Sequence, residues 1–149
     1  MPLIRIILGS KSDIDKFDAA VEVLKDFGVQ YDLHISSAHR NPEKTVQLAA
    51  EAEDLGIKVI IAGAGLAAHL PGVIASHTCL PVIGVPIASG ALNGLDALYS
   101  IVQMPPGVPV ACVAINGSKN AALLAIQILA GSDTELRTKY NSFKQSLKS

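Results

Sequence analysis

The chain has 149 residues, the length of one domain with a sizeable core. Half of it is hydrophobic and 17% is charged, against about a quarter in ordinary domains, so burial between subunits is expected. A net charge of −1 leaves no basic footprint for nucleic acid.

The apolar middle is not read as a membrane span. Gly63, Gly65, Pro71, Pro81, Pro86 and Gly90 interrupt every run before the roughly 18 continuous apolar residues that a span needs. Strand-like sequence begins at Leu3 without signal-peptide architecture, which points to a soluble, cytoplasmic protein. Cys79 and Cys112 lie far apart with no CxxC pair, so both are expected to be reduced, buried thiols.

Leu3 to Leu8 reads as a first buried strand, with Arg5 near its start. Gly9-Ser10-Lys11-Ser12-Asp13 turns into a helix whose apolar positions are Ile14, Phe17, Val21, Leu24 and Phe27. Ser12 or Asp13 is its natural cap, and Gly28 closes it in the left-handed conformation. Val29 to Ile35 alternates apolar and polar, as on an edge strand. Ser36 to Arg40 leaves that strand, Asn41-Pro42 opens the next helix and Gly56 stops it.

Lys58 to Ala62 begins a third buried strand, which breaks into a loop of small residues before a short helix from Pro71. Val82 to Val85 is a fourth strand, bracketed by Pro81 and Pro86, and Gly94 to Val102 reads as helix. Val108 to Ile115 is expected to be a fifth strand. Lys119 to Ala130 is a helix apolar nearly all round, which has to be covered on all sides. Ser132-Asp133-Thr134-Glu135 reads as a capping box for a last helix with the stripe Leu136, Tyr140, Phe143 and Leu147. That stripe suits either its own domain or a neighbouring subunit. Strand and helix alternate over residues 1–149, which predicts a single α/β domain with a parallel sheet covered on both faces.

Two familiar phosphate motifs fail on inspection. Gly63-Ala64-Gly65-Leu66-Ala67-Ala68 fits the dinucleotide pattern after a strand. The acidic residue expected about 20 positions later is missing, since no Asp or Glu lies between Asp54 and Asp96. Pro71 also falls where a cofactor helix should already run. Gly9 to Asp13 lacks the Gly-Lys-Ser/Thr ending of a P-loop. Its hydroxyls, backbone N–H groups and helix start still suit a phosphate, although a plain capped turn is equally open.

His39 follows a strand beside Arg40, Ser36 and Ser37; an imidazole near pH ~6.5 both gives and takes protons. Alone it reads as readily as a surface residue. His69, in the small-residue loop, suits a ligand or a backbone hydrogen bond, while His34 and His77 read as structural. These histidines lack acidic or cysteine partners at metal spacing, so no metal is expected. The turns at Gly9, Ser36, Gly63 and Ser89 all follow strands, and a parallel sheet gathers them at one edge. The pocket so formed suits a phosphorylated anionic small molecule and proton transfer by His.

Five segments carry a resemblance to a known family. They are Gly9 to Asp13, Ser37-Ala38-His39-Arg40, Ala62 to Gly65 with Ala67 to Gly72, Ser100 to Pro105, and Asn120 to Ala125. Together, in order over nearly the whole chain, they resemble the PurE family, the carboxyaminoimidazole ribonucleotide mutases of purine biosynthesis. The loop ending His69-Leu70-Pro71-Gly72 is similar to that of the mutase branch. The branch that carboxylates aminoimidazole ribonucleotide directly with carbon dioxide carries an Arg-Ser-Asn loop instead. Leu66 stands where that loop usually has glycine, and Ile14 where many members have tryptophan.

The resemblance implies a three-layer doubly wound fold, flavodoxin-like or Rossmann-like, assembled as a homo-octamer and working without cofactor or metal. It implies His39 as the catalytic acid and base. Ser10, Asp13 and Arg40 would hold the ribose phosphate end, with Ser12, Ser37 and Ala38 beside them. Gly63, Ala64, Gly65, Ala67, His69 and Leu70 would line the carboxylate side. Whether the synthetase that makes the labile substrate contacts the protein transiently is left open. The rival readings are direct carboxylation, a catalytically silent nucleotide-binding module and a flavodoxin-like redox protein.

Overall fold

The computed structural model describes residues 1–148; the expected boundary at Ser149 lies outside them. Five parallel strands form one sheet in the order β2-β1-β3-β4-β5: β1 Ile4–Leu8, β2 Tyr31–Ile35, β3 Val59–Gly65, β4 Val82–Ile87 and β5 Ala111–Cys112. Six helices cover it: α1 Asp18–Asp26, α2 Pro42–Ala50, α3 Leu70–Ser76, α4 Leu95–Val102, α5 Ser118–Ala130 and α6 Thr134–Ser146. Strand alternation sends side chains to two cores. Ile4, Ile6, Leu8, Val59 and Ile61 pack with α1 and α5 on one face. Ile7, Ile60 and Ala62 pack with Leu48 of α2, Ile74 of α3 and Ile101 of α4 on the other. This is the three-layer, doubly wound arrangement expected, and the strand order reverses at β1, between β2 and β3.

The first helix begins differently from its periodic pattern. Lys11–Phe17 winds as a 3-10 helix, capped by Ser10, whose Oγ accepts from Ser12 N–H at 3.3 Å. The tighter turn leaves Ile14 39% exposed and brings Asp13 in to 7%. Gly28 has the expected left-handed backbone, with φ +71°.

Further along, β5 is only Ala111–Cys112 rather than Val108 to Ile115. It is an edge strand just after the Pro105-Pro106-Gly107 break, and beyond Cys112 only isolated bonds such as Val113 N–H to Gly84 O tie the chain to β4. Helix α5 is buried over most of its surface, but Ile128 stays 38% exposed. Asp133 rather than Ser132 caps α6, accepting from Leu136 N–H at 3.0 Å. The α6 stripe packs on its own subunit: Leu136 is buried in the core, the Tyr140 and Phe143 rings pack against Phe27, and Leu147 remains exposed. The cysteines are free, yet Cys79 is exposed and Cys112 half-buried, because each lies near a sheet or helix end rather than in the core. Burial pushes the Cys112 thiol up from its ordinary value. Among the described residues no helix is long and apolar enough to cross a membrane.

Candidate active site

A cleft of about 500 Å³ opens at the carboxyl ends of the strands, where the strand order reverses. Open α/β sheets bind ligands at that place because the loops on either side depart in opposite directions and leave a crevice. Four loops line it, after β1, β2, β3 and β4. Backbone bonds fix their starts: Gly9 N–H donates to Gly63 O at 3.0 Å, and Ser36 N–H donates to Leu8 O at 2.9 Å. Buried Ser36 also shares a 2.7 Å hydrogen bond with Thr45 Oγ1, which ties the β2 loop to α2.

From the first loop come Ser10, Ser12 and Asp13. The two serine hydroxyls share a 3.0 Å hydrogen bond. Burial pushes the Asp13 carboxyl above its ordinary 3.8, against the opposing influence of Lys16 and the Ser10 backbone. A carboxylate with little solvent and no cation bonded to it is ready to accept from a ligand hydroxyl.

The second loop supplies Ser37, Ala38, His39 and Arg40. Arg40 N–H donates to Ser37 Oγ at 3.2 Å, and one guanidinium N–H donates to Gly9 O at 3.2 Å. The remaining guanidinium donors, on an exposed side chain, can fork onto a phosphate or carboxylate.

The third segment carries Ala64, Gly65, Leu66, Ala67, Ala68, His69 and Leu70; β3 runs on through Gly65 rather than breaking after Ala62, so Ala64 and Gly65 are its last residues, and Leu70 begins α3. His39 Nε2 and His69 Nδ1 lie 2.7 Å apart, with the rings nearly perpendicular at 81°. One nitrogen must carry the proton and the other accept it, so the pair holds the His39 ring in place. Small residues keep the rest of this wall free of negative side chains.

Nearly all the residues expected at the site therefore meet in one cleft: Ser10, Ser12, Asp13, Ser37, Ala38, His39, Arg40, Ala64, Gly65, Ala67, His69 and Leu70. Gly63 does not line the cleft: it stands beneath the wall, where a Cβ would sit 2.6 Å from the Phe17 ring, so packing by itself requires a glycine there. Gly9, Leu66, Ala68 and Ser89 also line the cleft, in keeping with the gathering of the turns at Gly9 and Ser89 and of the Gly63 to Ala68 wall at this sheet edge. Among the described residues, no three His, Cys, Asp or Glu side chains converge as a metal site requires.

Residues 3–149 match the family described as AIRC, AIR carboxylase. The chain is 60% identical over 148 residues to the N5-carboxyaminoimidazole ribonucleotide mutase of Saccharolobus solfataricus, covering 99% of this chain and 94% of that protein. It is also 56% identical over 142 residues to the phosphoribosylaminoimidazole carboxylase of Saccharomyces cerevisiae, covering 95% of this chain but 25% of that protein. The crystal structure of Treponema denticola PurE superposes with a TM-score of 0.90 at 34% identity, covering 99% of this chain and 92% of that one. On the strength of a family match and of relatives that both run nearly end to end, the chain belongs to the AIR carboxylase family, that of the PurE proteins.

Proposed function

We propose that this protein is a 5-(carboxyamino)imidazole ribonucleotide mutase of purine biosynthesis, which moves a carboxylate from the exocyclic nitrogen of its substrate to a ring carbon. The observation that carries the reading is the meeting of His39 with Arg40, Asp13, Ser10 and the loop from Ala64 to His69 in one cleft. Arg40 and the Ser10–Asp13 turn suit the phosphate and ribose, and the small-residue wall admits a carboxylate without repelling it.

His39 performs the proton transfers. The bond from nitrogen to the carboxylate carbon breaks, its electron pair stays on nitrogen, and the His39 imidazolium protonates that nitrogen. Carbon dioxide is held while the electron-rich ring carbon attacks it and forms the new carbon–carbon bond. Neutral His39 then takes the ring proton and returns to imidazolium, so no net proton is consumed. Retention of the neutral gas requires that bound substrate and the cleft walls exclude water. His69 orients the His39 ring and borders the carboxylate side.

The protein works as a homo-oligomer, an octamer in this reading, in the cytoplasm. An apolar face supports the assembly: Leu92, Leu95, Tyr99 and Val102, on and before α4, are 58%, 42%, 58% and 48% exposed in the protomer.

The carboxylase name borne by the yeast relative favours testing direct carboxylation as the second reading, although the match spans a quarter of that protein. The purified protein is incubated with 5-(carboxyamino)imidazole ribonucleotide without bicarbonate, and separately with aminoimidazole ribonucleotide and bicarbonate. Rapid formation of 4-carboxy-5-aminoimidazole ribonucleotide in the first mixture is the expected result. Product in the second mixture alone would establish the carboxylase.

A further inference from the structure

Leu66 combines two features that a loop ordinarily avoids. Its backbone lies in the left-handed region at φ +55°, where a Cβ is crowded and glycine is favoured. Its side chain, a large hydrophobe, is 54% exposed in the protomer. Neither feature serves the core, to which the neighbouring Ala64 and Ala68 belong and Leu66 does not.

The side chain instead reaches the neighbouring loop at the rim of the cleft. A Cβ built on Gly90 would lie 3.0 Å from Leu66 Cδ2, and one built on neighbouring Gly65 would lie 3.1 Å from Ser89 Cβ. The loop Leu66 reaches is firmly held, since Lys16 Nζ donates to Ala88 O at 3.0 Å and Ala88 N–H donates to Asn116 Oδ1 at 3.0 Å. Leu66 thus packs the β3 loop onto the β4 loop where Leu66 and Ser89 both line the cleft that His69 also borders.

We propose that the Leu66 side chain is an apolar cap on the carboxylate side of the cleft, which retains carbon dioxide between its release from nitrogen and its capture by the ring carbon. The inference rests on the mutase reading. A neutral, weakly hydrated molecule gains nothing from a polar rim, whereas a leucine bridging two loops excludes the water through which it would leave.

The test follows isotopically labelled dissolved carbon dioxide into the product carboxylate during turnover of unlabelled 5-(carboxyamino)imidazole ribonucleotide. Wild-type protein, Leu66→Met, Leu66→Ala and Leu66→Gly are compared, with gel filtration of each. Both Leu66→Ala and Leu66→Gly are expected to raise label incorporation per turnover by roughly threefold to tenfold, with more free aminoimidazole ribonucleotide. Leu66→Met, which keeps the apolar reach, stays near wild type. Unchanged labelling in the alanine variant overturns the proposal: a change in glycine alone would mean that the backbone matters, and a changed oligomeric state alone would make Leu66 an interface residue. Failure of the wild-type protein to form product at all would overturn the mutase reading itself, and this inference with it.

Discussion

Two polar clusters sit on the same sheet and differ in what the chain does with them. Near the amino end of β1, buried Arg5 meets Asp32 of β2 at 2.8 Å and Glu51 at 3.2 Å, and donates to Leu48 O at 2.9 Å. His34 Nε2 lies 3.2 Å from the same Asp32 carboxylate. Burial by itself would raise the Asp32 carboxyl, but Arg5 and His34 hold it below its ordinary 3.8. At the carboxyl ends of the strands, Asp13 is more deeply buried than Asp32 and carries the opposite shift, because no guanidinium accompanies it. In the first cluster the Arg5–Asp32 pair satisfies itself within the chain and is therefore structural. The second leaves acceptors and donors free, as a site awaiting a ligand does.

The sharpest way to break this comparison is at the catalytic imidazole. His39→Asn should leave folding and nucleotide binding near wild type and lower turnover by more than the roughly 10²–10⁴ typical of an acid–base residue. Steady-state kinetics with calorimetric binding of the product checks it, and near-normal turnover would refute the assignment. Arg40→Ala should weaken ribonucleotide binding roughly 10- to 100-fold, the loss of a charge-assisted contact, without unfolding the protein.

In the structural cluster the effect should move from activity to stability. Asp32→Asn is expected to cost about 2 kcal/mol in denaturant unfolding, since it strips a nearly enclosed guanidinium of its main partner. The sign with pH follows from the lowered carboxyl. Its stabilisation is present above the ordinary 3.8 and lost as pH falls through the depressed value. The penalty of Asp32→Asn should therefore shrink in acid.

Asp13→Asn should produce the smallest change, and in the other direction. The fold raises this carboxyl, so stability is highest below 3.8 and is lost as pH rises through the elevated value. Without ligand, the variant should melt about 1–2 °C higher at neutral pH, lose that gain in acid, and bind substrate more weakly.

Much of the architecture was legible because its signals are local. The β-branched runs of β1, β3 and β4, Gly28 as a left-handed cap and Asn41-Pro42 as a helix start needed no partner to be read. The site was legible because a parallel sheet sends every strand-to-helix loop to one edge, so His39 and His69 could be expected together before any contact was known.

What escaped reading depends on three-dimensional packing. Arg5, inside a β-branched run, looked like a strand-end charge, and only the register Arg5 opposite Asp32 makes it a buried hub. The 3-10 start that buries Asp13 and exposes Ile14 has no composition signature, and Gly63 differs from its neighbours only because Phe17 lies beneath it. The short β5 reflects the lack of a further strand outside it.

The most direct test of the account is a crystal structure of the protein with 4-carboxy-5-aminoimidazole ribonucleotide bound. The account predicts the phosphate at Arg40 and the Ser10–Asp13 turn, with the carboxylated ring carbon within hydrogen-bond reach of His39. A nucleotide seated away from this cleft, or one whose ring points away from His39, would contradict it.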